Sequence, residues 1–173
     1  MANAPDPRKV FVVHGRDESA RLAMFEFLRA IGLDPMEWSQ IVDLTKTASP
    51  FVGEVLEVGF KHAQAVVVLL TGDDKARLRK KLRKKRDPDY EGELTPQPRP
   101  NVLFEAGMAF GINPKRTLLV EIGNLRPFSD VSGRLAVRMA NSVRARQEVA
   151  QRLKAAGCKV NLRGTDWQKA GKF

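Results

Sequence analysis

The sequence holds one cysteine, Cys158, and two histidines, His14 and His62. An internal disulfide is therefore excluded, and without a CxxC pair or a histidine cluster there is no basis for a structural zinc site. No apolar run reaches the ~18 residues that a membrane span requires, and residues 1–7 lack the apolar core of a signal peptide. The expected location is the cytoplasm. The phosphate-binding glycine signatures are missing too: neither GxxxxGKS/T nor GxGxxG occurs, which argues against a P-loop NTPase and a dinucleotide-binding dehydrogenase. An acidic pair at the end of the first strand, where a phosphoacceptor receiver domain of related topology holds its metal, is also lacking; His14 and Gly15 stand there instead.

What is present fits a single domain: 173 residues, 43% of them apolar, suffice for one full core. Residues 1–7 read as an extension and 8–173 as the domain. The formal net charge is +10, and the nine cations of Lys75–Arg86 (KARLRKKLRKKR), unmatched by any acid, account for all but one of it. The run carries only Leu78 and Leu82 as apolar anchors and no aromatic, so it lacks the stacking residues of single-strand nucleic-acid binders. A solvated, partly helical excursion over residues 75–100, basic and then proline-rich, is the preferred reading, with phosphate attraction to nucleic acid as the alternative. The proline-rich part, Asp87–Pro100, is expected to be disordered.

Taken in order, Lys9–Val13 is β-branched and aromatic and predicts a buried parallel strand, followed by the loop His14, Gly15, Arg16 and Asp17. Asp17 or Ser19 caps a helix that Gly32 ends. Leu33–Trp38 predicts an edge strand, since Pro35 cannot donate to a central ladder. Ser39–Ser49 reads as irregular, and Ser49-Pro50 as the opening of a helix that runs to about His62, with proline first. Ala65–Leu70 is continuously apolar and predicts the central strand. Thr117–Ile122 and Leu135–Met139 read as fourth and fifth strands, and Val143–Ala156 as a terminal helix with Gly157 past its end. In the tail, Val160, Leu162, Trp167 and Phe173 can pack back on the body. This alternation predicts an α/β fold: a flavodoxin-like, doubly wound parallel sheet of five strands in the order 2-1-3-4-5.

Such sheets bind ligands outside the carboxyl ends of their strands, at the switch in strand order. The residues expected around that crevice are His14, Gly15, Arg16, Asp17, Trp38, Thr71, Asp73, Asn101 and Phe104. Between Asn101 and Pro114 (NVLFEAGMAFGINP) one charge stands alone, Glu105, about a turn inside a helix for which Asn101 is a plausible N-cap. The apolar residues on nearly every side of that helix predict burial, and Gly107 and Gly111 suggest a close approach to its backbone. Glu105 could merely complement the helix dipole, but a buried lone acid is the better candidate for chemistry. With Arg16 and helix N-termini for phosphate, Trp38 to stack on a base and Glu105 for ribose hydroxyls, the set suits a nucleotide. Arg16 reads equally well as an ion-pair partner and Trp38 as a core edge residue, and His14 more often satisfies backbone than catalyses.

Lys9–Asp17 (KVFVVHGRD), the central strand with Thr71–Asp74 (TGDD), and Asn101–Gly111 (NVLFEAGMAFG) together resemble the prokaryotic TIR-like (Toll/interleukin-receptor-like) nucleotide-binding domains of antiphage effectors. The resemblance runs from about Lys9 to Phe173. It implies an NAD⁺ glycohydrolase that cleaves the nicotinamide–ribose bond, with Glu105 as the catalytic glutamate and NAD⁺ as substrate rather than cofactor. It further implies self-association, driven by a cyclic-nucleotide-sensing domain or a separate partner protein. Two other readings share the pattern. Nucleoside 2-deoxyribosyltransferases place a nucleophilic glutamate in a similar helix start but need a proton donor, for which the chain offers Asp73 or Asp74. A non-catalytic TIR module would bind nucleotide or partners without chemistry.

Overall fold

The computed structural model describes residues 4–127 and 136–173. A parallel five-stranded sheet is built from β1 (Lys9–Val13), β2 (Asp34–Met36), β3 (Ala65–Leu70), β6 (Thr117–Ile122) and β7 (Val137–Met139), in the order β2-β1-β3-β6-β7. This is the expected 2-1-3-4-5 order, because β4 (Asp74–Ala76) and β5 (Thr95–Gln97) form a separate antiparallel hairpin. All six residues of β3 are buried, paired to β1 from Val10↔Ala65 to Val13↔Val68 and to β6 from Val66↔Thr117 to Leu70↔Glu121. A strand with no polar side chain on either face requires helices on both sides.

Those helices divide the core in two. On one face, α1 (Glu18–Ala30) and α6 (Val143–Ala155) pack Met24, Phe27, Leu28, Val149 and Leu153 against Val10, Val12, Val67, Leu69 and Val120. On the other, α2 (Trp38–Thr45), α3 (Val52–His62) and α5 (Pro100–Ile112) pack Ile41, Val55, Phe60, Val102, Ala106 and Ala109 against Phe11, Val13, Val66, Val68 and Leu70. The alternation of adjacent strand residues between the two clusters is the period-2 geometry of a strand.

Several boundaries differ from the expectation. Trp38, read as the end of the edge strand, and Ser39–Thr45, read as irregular, form α2, because the Gln40 side-chain carbonyl accepts the Glu37 N–H at 3.0 Å while Arg21 and Arg29 hold the Glu37 carboxylate. α3 begins at Val52 rather than at Pro50: Glu54 accepts the Phe51 N–H at 3.0 Å and fixes Phe51 as the cap. The terminal helix matches its expected bounds to within one residue, and α1 and α6 stop just before Gly32 and Gly157, which adopt φ of 78° and 89°. Of the fifth strand, Val137–Met139 is present and Leu135 lies outside the described residues.

The 75–100 excursion is not the disordered loop its prolines suggested. β4 and β5 close it at the base, a 3₁₀ turn covers Lys80–Leu82, and α4 (Asp89–Gly92) follows. The Leu78 N–H donates to the Glu91 carbonyl at 2.8 Å, the Arg126 N–H to Pro96 at 2.7 Å, and the Arg126 guanidinium pairs with the Glu91 carboxylate. Proline is tolerated here because β5 is a two-stranded edge.

The tail packs back through Trp167, which is buried, and through Val160 and Phe173; Leu162 is exposed. Its anchor is Arg146. This guanidinium is 3% exposed and donates from Nε to the Ala170 carbonyl at 2.8 Å, from its amino groups to Gly171, Ser142 and Asn141, and lies over the Phe173 ring. Burial lowers its pKa from the usual arginine value, opposed by the charge of Glu26. Cys158 is a buried thiol whose pKa is pushed up to about 11 by burial, so it is an inert packing residue. Replacing Arg146 by Met strands buried acceptors, and thermal or urea denaturation is expected to show a loss of about 3 kcal/mol, with residues 164–173 becoming protease-sensitive. An unchanged midpoint would mean that the tail needs no such anchor.

Candidate functional site

The loops expected to line the crevice meet at the carboxyl ends of β1 and β3. Asp73 ties them together: its carboxylate accepts the Arg16 main-chain N–H at 2.5 Å and the Thr71 hydroxyl at 2.5 Å. Gly15 is packed so closely that a Cβ built on it would lie 1.9 Å from Asp73 Oδ2, which explains glycine there by close approach alone. His14 places Nδ1 2.9 Å from the Gly15 carbonyl and, in that contact, is the donor. Asp17 is the N-cap of α1, accepting the Ala20 N–H at 3.0 Å and the Ser19 hydroxyl at 2.6 Å; these bonds hold its carboxyl below the usual range. Both aspartates thus serve the backbone. The Arg16 side chain forms no ion pair among the described residues.

Around this hydrogen-bonded floor stand three helix starts. α2 begins at Trp38, one residue past β2, and Trp38 is 47% exposed, so it is no core residue. α3 begins beside Phe51 and Val52, exposed by 80% and 61%. α5 begins after Arg99, with Pro100 first; Asn101 lies inside the helix and does not cap it. No side chain caps α5 and no acid lies in its first turn, so its leading N–H groups carry the positive end of the dipole unopposed. Sequence reasoning missed Phe51 and Val52; the signal was Glu54, three residues beyond a cap.

α5 packs against β1 and β3, the pair at which the strand order reverses. It is not buried on every side. Val102, Ala106 and Ala109 form the inward stripe, while Phe104 is 69% exposed and Ile112 is exposed as well. A Cβ at Gly107 or Gly111 would meet nothing within 4 Å, so neither glycine is required by a close approach on that side. Glu105 sits between the stripe and the open face, half-buried. Among the described residues it has no hydrogen bond and no ion pair, and burial alone raises its carboxyl pKa. No hydrogen bond ties Trp38, Asn101 or Phe104 to the Asp73 cluster either; topology alone brings them to the same end of the sheet. A cavity of about 690 Å³ lies elsewhere, toward the amino ends of the strands beside Lys9, Met36, Leu44 and His62.

This arrangement matches a known family. A profile of the CAP12/Pycsar effector protein TIR domain fits residues 9–141, which include every candidate site residue. The chain belongs to that family. It is also similar to a protein of Escherichia coli (strain K12) described as uncharacterized protein YuaY, with 30% identity over 132 residues, 75% of this chain and 39% of the relative. The chain therefore spans about two fifths of that relative's length. α6 and the tail held by Arg146 lie beyond the profile-matched residues. Among the described residues no group of three or more histidine, cysteine or acidic side chains is placed to hold a metal, and no helix is long and apolar enough to cross a membrane.

Two outcomes follow for the TIR domain's site. Gly15→Ala should push Asp73 off the Arg16 N–H and cost about 1–3 kcal/mol on denaturation; an unperturbed Tm would mean that the loops are not locked together. Glu105 has a folded pKa above its unfolded one, so its ionised form opposes folding at neutral pH. Glu105→Gln should therefore raise Tm at pH 7, and the gain should shrink as pH falls through the folded pKa and vanish below the unfolded value of about 4.3. A gain that persists at pH 3 would contradict desolvation as its cause.

Proposed function

We propose that this TIR domain is an NAD⁺ glycohydrolase of an antiphage effector, cleaving the nicotinamide–ribose bond with Glu105 as the catalytic residue. The observation that carries the reading is the state of Glu105: a half-buried carboxylate without a protein partner among the described residues, beside an uncapped helix start at the strand-order switch. A group left unsatisfied in such a place is a group reserved for a ligand.

The chemistry needs one acid. Most glycosidases use two carboxylates because the departing oxygen must be protonated. Nicotinamide is attached as a cation and leaves neutral, so the ribose–nitrogen bond breaks heterolytically with both electrons going to the ring nitrogen and no proton required. Glu105 accepts hydrogen bonds from the ribose hydroxyls and opposes the positive charge that develops at the anomeric carbon, a term worth most where water is scarce. The leading N–H groups of α5 and the Arg16 guanidinium, which has no ion pair among the described residues, suit the pyrophosphate, and the exposed Trp38 ring suits an adenine or nicotinamide face. His14, Gly15 and Thr71 form the wall, which Asp73 and Asp17 hold in shape. Asn101 and Phe104, the second and fifth residues of α5, are both exposed and available to what enters.

Self-association accompanies this reading. Trp38, Phe51, Val52 and Phe104 leave a broken apolar rim along the carboxyl-end side of the domain, of the kind that a second copy covers. A cyclic-nucleotide-sensing domain or partner protein would supply the trigger. Of the two acids that the deoxyribosyltransferase alternative would use, Asp73 has both oxygens engaged, by the Arg16 N–H and the Thr71 hydroxyl, and Asp74 lies 3.9 Å from Arg99.

Incubating the domain with NAD⁺ at high protein concentration, with and without a crowding agent, and following free nicotinamide is the direct test. Release is expected from the wild type, with Glu105→Gln lower by about 10²–10³-fold while its circular dichroism is unchanged. Equal release by both proteins removes Glu105 from the chemistry. Base exchange on a deoxynucleoside would favour the transferase instead.

A further inference from the structure

The excursion between β3 and α5 gives up its charge in an unusual way. Eight of the nine cations in Lys75–Arg86 are exposed, and Arg83 is half-buried. Among the described residues none of the nine forms an ion pair. Acids are at hand but are turned elsewhere. Asp87 accepts the main-chain N–H of Lys84 at 2.6 Å, Glu91 pairs with Arg126 from outside the excursion, and Asp74 lies 3.9 Å from Arg99. Arg83 directs Nε to the Leu78 carbonyl at 2.9 Å, a bond that shapes the turn rather than cancels charge.

The segment is also built rather than loose. The β4–β5 ladder, the 3₁₀ turn and the bonds to Arg126 hold the run as a folded projection from the end of β3. A folded segment that keeps nine like charges unneutralised sustains mutual repulsion, which a polyanion would relieve. A single phosphate or carboxylate could engage only a few of the nine. Stacking is not offered: no aromatic lies in the run, and Tyr90, beyond it, is half-buried in the fold of the excursion. Single-stranded nucleic acid is normally gripped by aromatic platforms, whereas a duplex presents stacked bases inside and two rows of phosphates outside.

We propose that the Lys75–Arg86 projection binds double-stranded nucleic acid through its phosphate backbones, without reading sequence. The site is independent of the chemistry at Glu105, though β4 begins one residue after Asp73 and so lies at the same end of the sheet. A bound duplex would therefore lie beside the crevice.

The test uses the whole 173-residue chain and fluorescence anisotropy with labelled 30-base-pair DNA and RNA duplexes, their single strands, and vesicles containing phosphatidylserine. Duplex binding is expected irrespective of sequence, with log K falling against log salt with a slope of about −5, as for five to six phosphate contacts. Reversing Lys80, Lys81, Lys84 and Lys85 to Glu should weaken it at least tenfold and flatten the slope by about 3. Should that variant lose its native circular dichroism, glutamine at the same four positions is the substitute and should give the same loss of slope. Unchanged binding by a folded variant, stronger binding to single strands, or retention by vesicles alone would each overturn the proposal. DNA against RNA affinity then identifies which duplex the projection favours.

Discussion

The structure depends on the burial of β3 from both sides. A strand of six apolar residues has nowhere to go but the middle of a parallel sheet, and a parallel sheet obliges each connection to cross over as a helix and return. From that follow the two cores, the placement of every strand's carboxyl end on one side of the molecule, and the reversal of strand order between β1 and β3. The crevice is a by-product of this constraint. Its floor then needs only short-range help, which Asp73 supplies by joining the two loops that β1 and β3 deliver side by side.

The α5 helix exploits that arrangement. One side of it is core, the other is open, and Glu105 lies on the boundary, where desolvation is felt but a ligand can still reach. A carboxylate further in would be neutral or paired; one further out would be screened by water. The chain belongs to the CAP12/Pycsar effector TIR-domain family, and under the function proposed above the lone acid and the uncapped helix start would serve the sugar and the pyrophosphate of one substrate.

Much of the fold was legible in the sequence because its long-range signals are strong. The bounds of β3 and β6 and the strand order follow from runs of apolar residues, and Glu105 stands out as the one charge in an apolar helix. What the sequence hid was decided by single polar contacts. α2 exists because Gln40 reaches back to Glu37 and two arginines of α1 steady that cap, a set of contacts between two helices separated by β2. Proline density in residues 87–100 suggested disorder, yet a two-stranded edge admits proline and Arg126, far along the chain, locks the segment. The roles of Asp17 and Asp73 were ambiguous for a related reason: an acid at a loop can meet a ligand or a backbone N–H, and only geometry shows that here it meets the backbone.

The anchoring of the tail by Arg146 has a bearing on how firmly the tail is held to α6 in different surroundings. Salt bridges come apart in acid when their carboxylates take up protons, but the acceptors around this guanidinium are main-chain carbonyls and one amide, which do not titrate over any pH a cell meets. Screening ions have little access to so enclosed a cation either. The direct bonds of the clasp are thus indifferent to pH and ionic strength, Glu26 acting on it only through its charge, in contrast to the exposed basic projection of residues 75–86, whose attraction to an anionic partner weakens as salt is added. One domain thus carries an attachment that ignores its medium and a surface that reports on it.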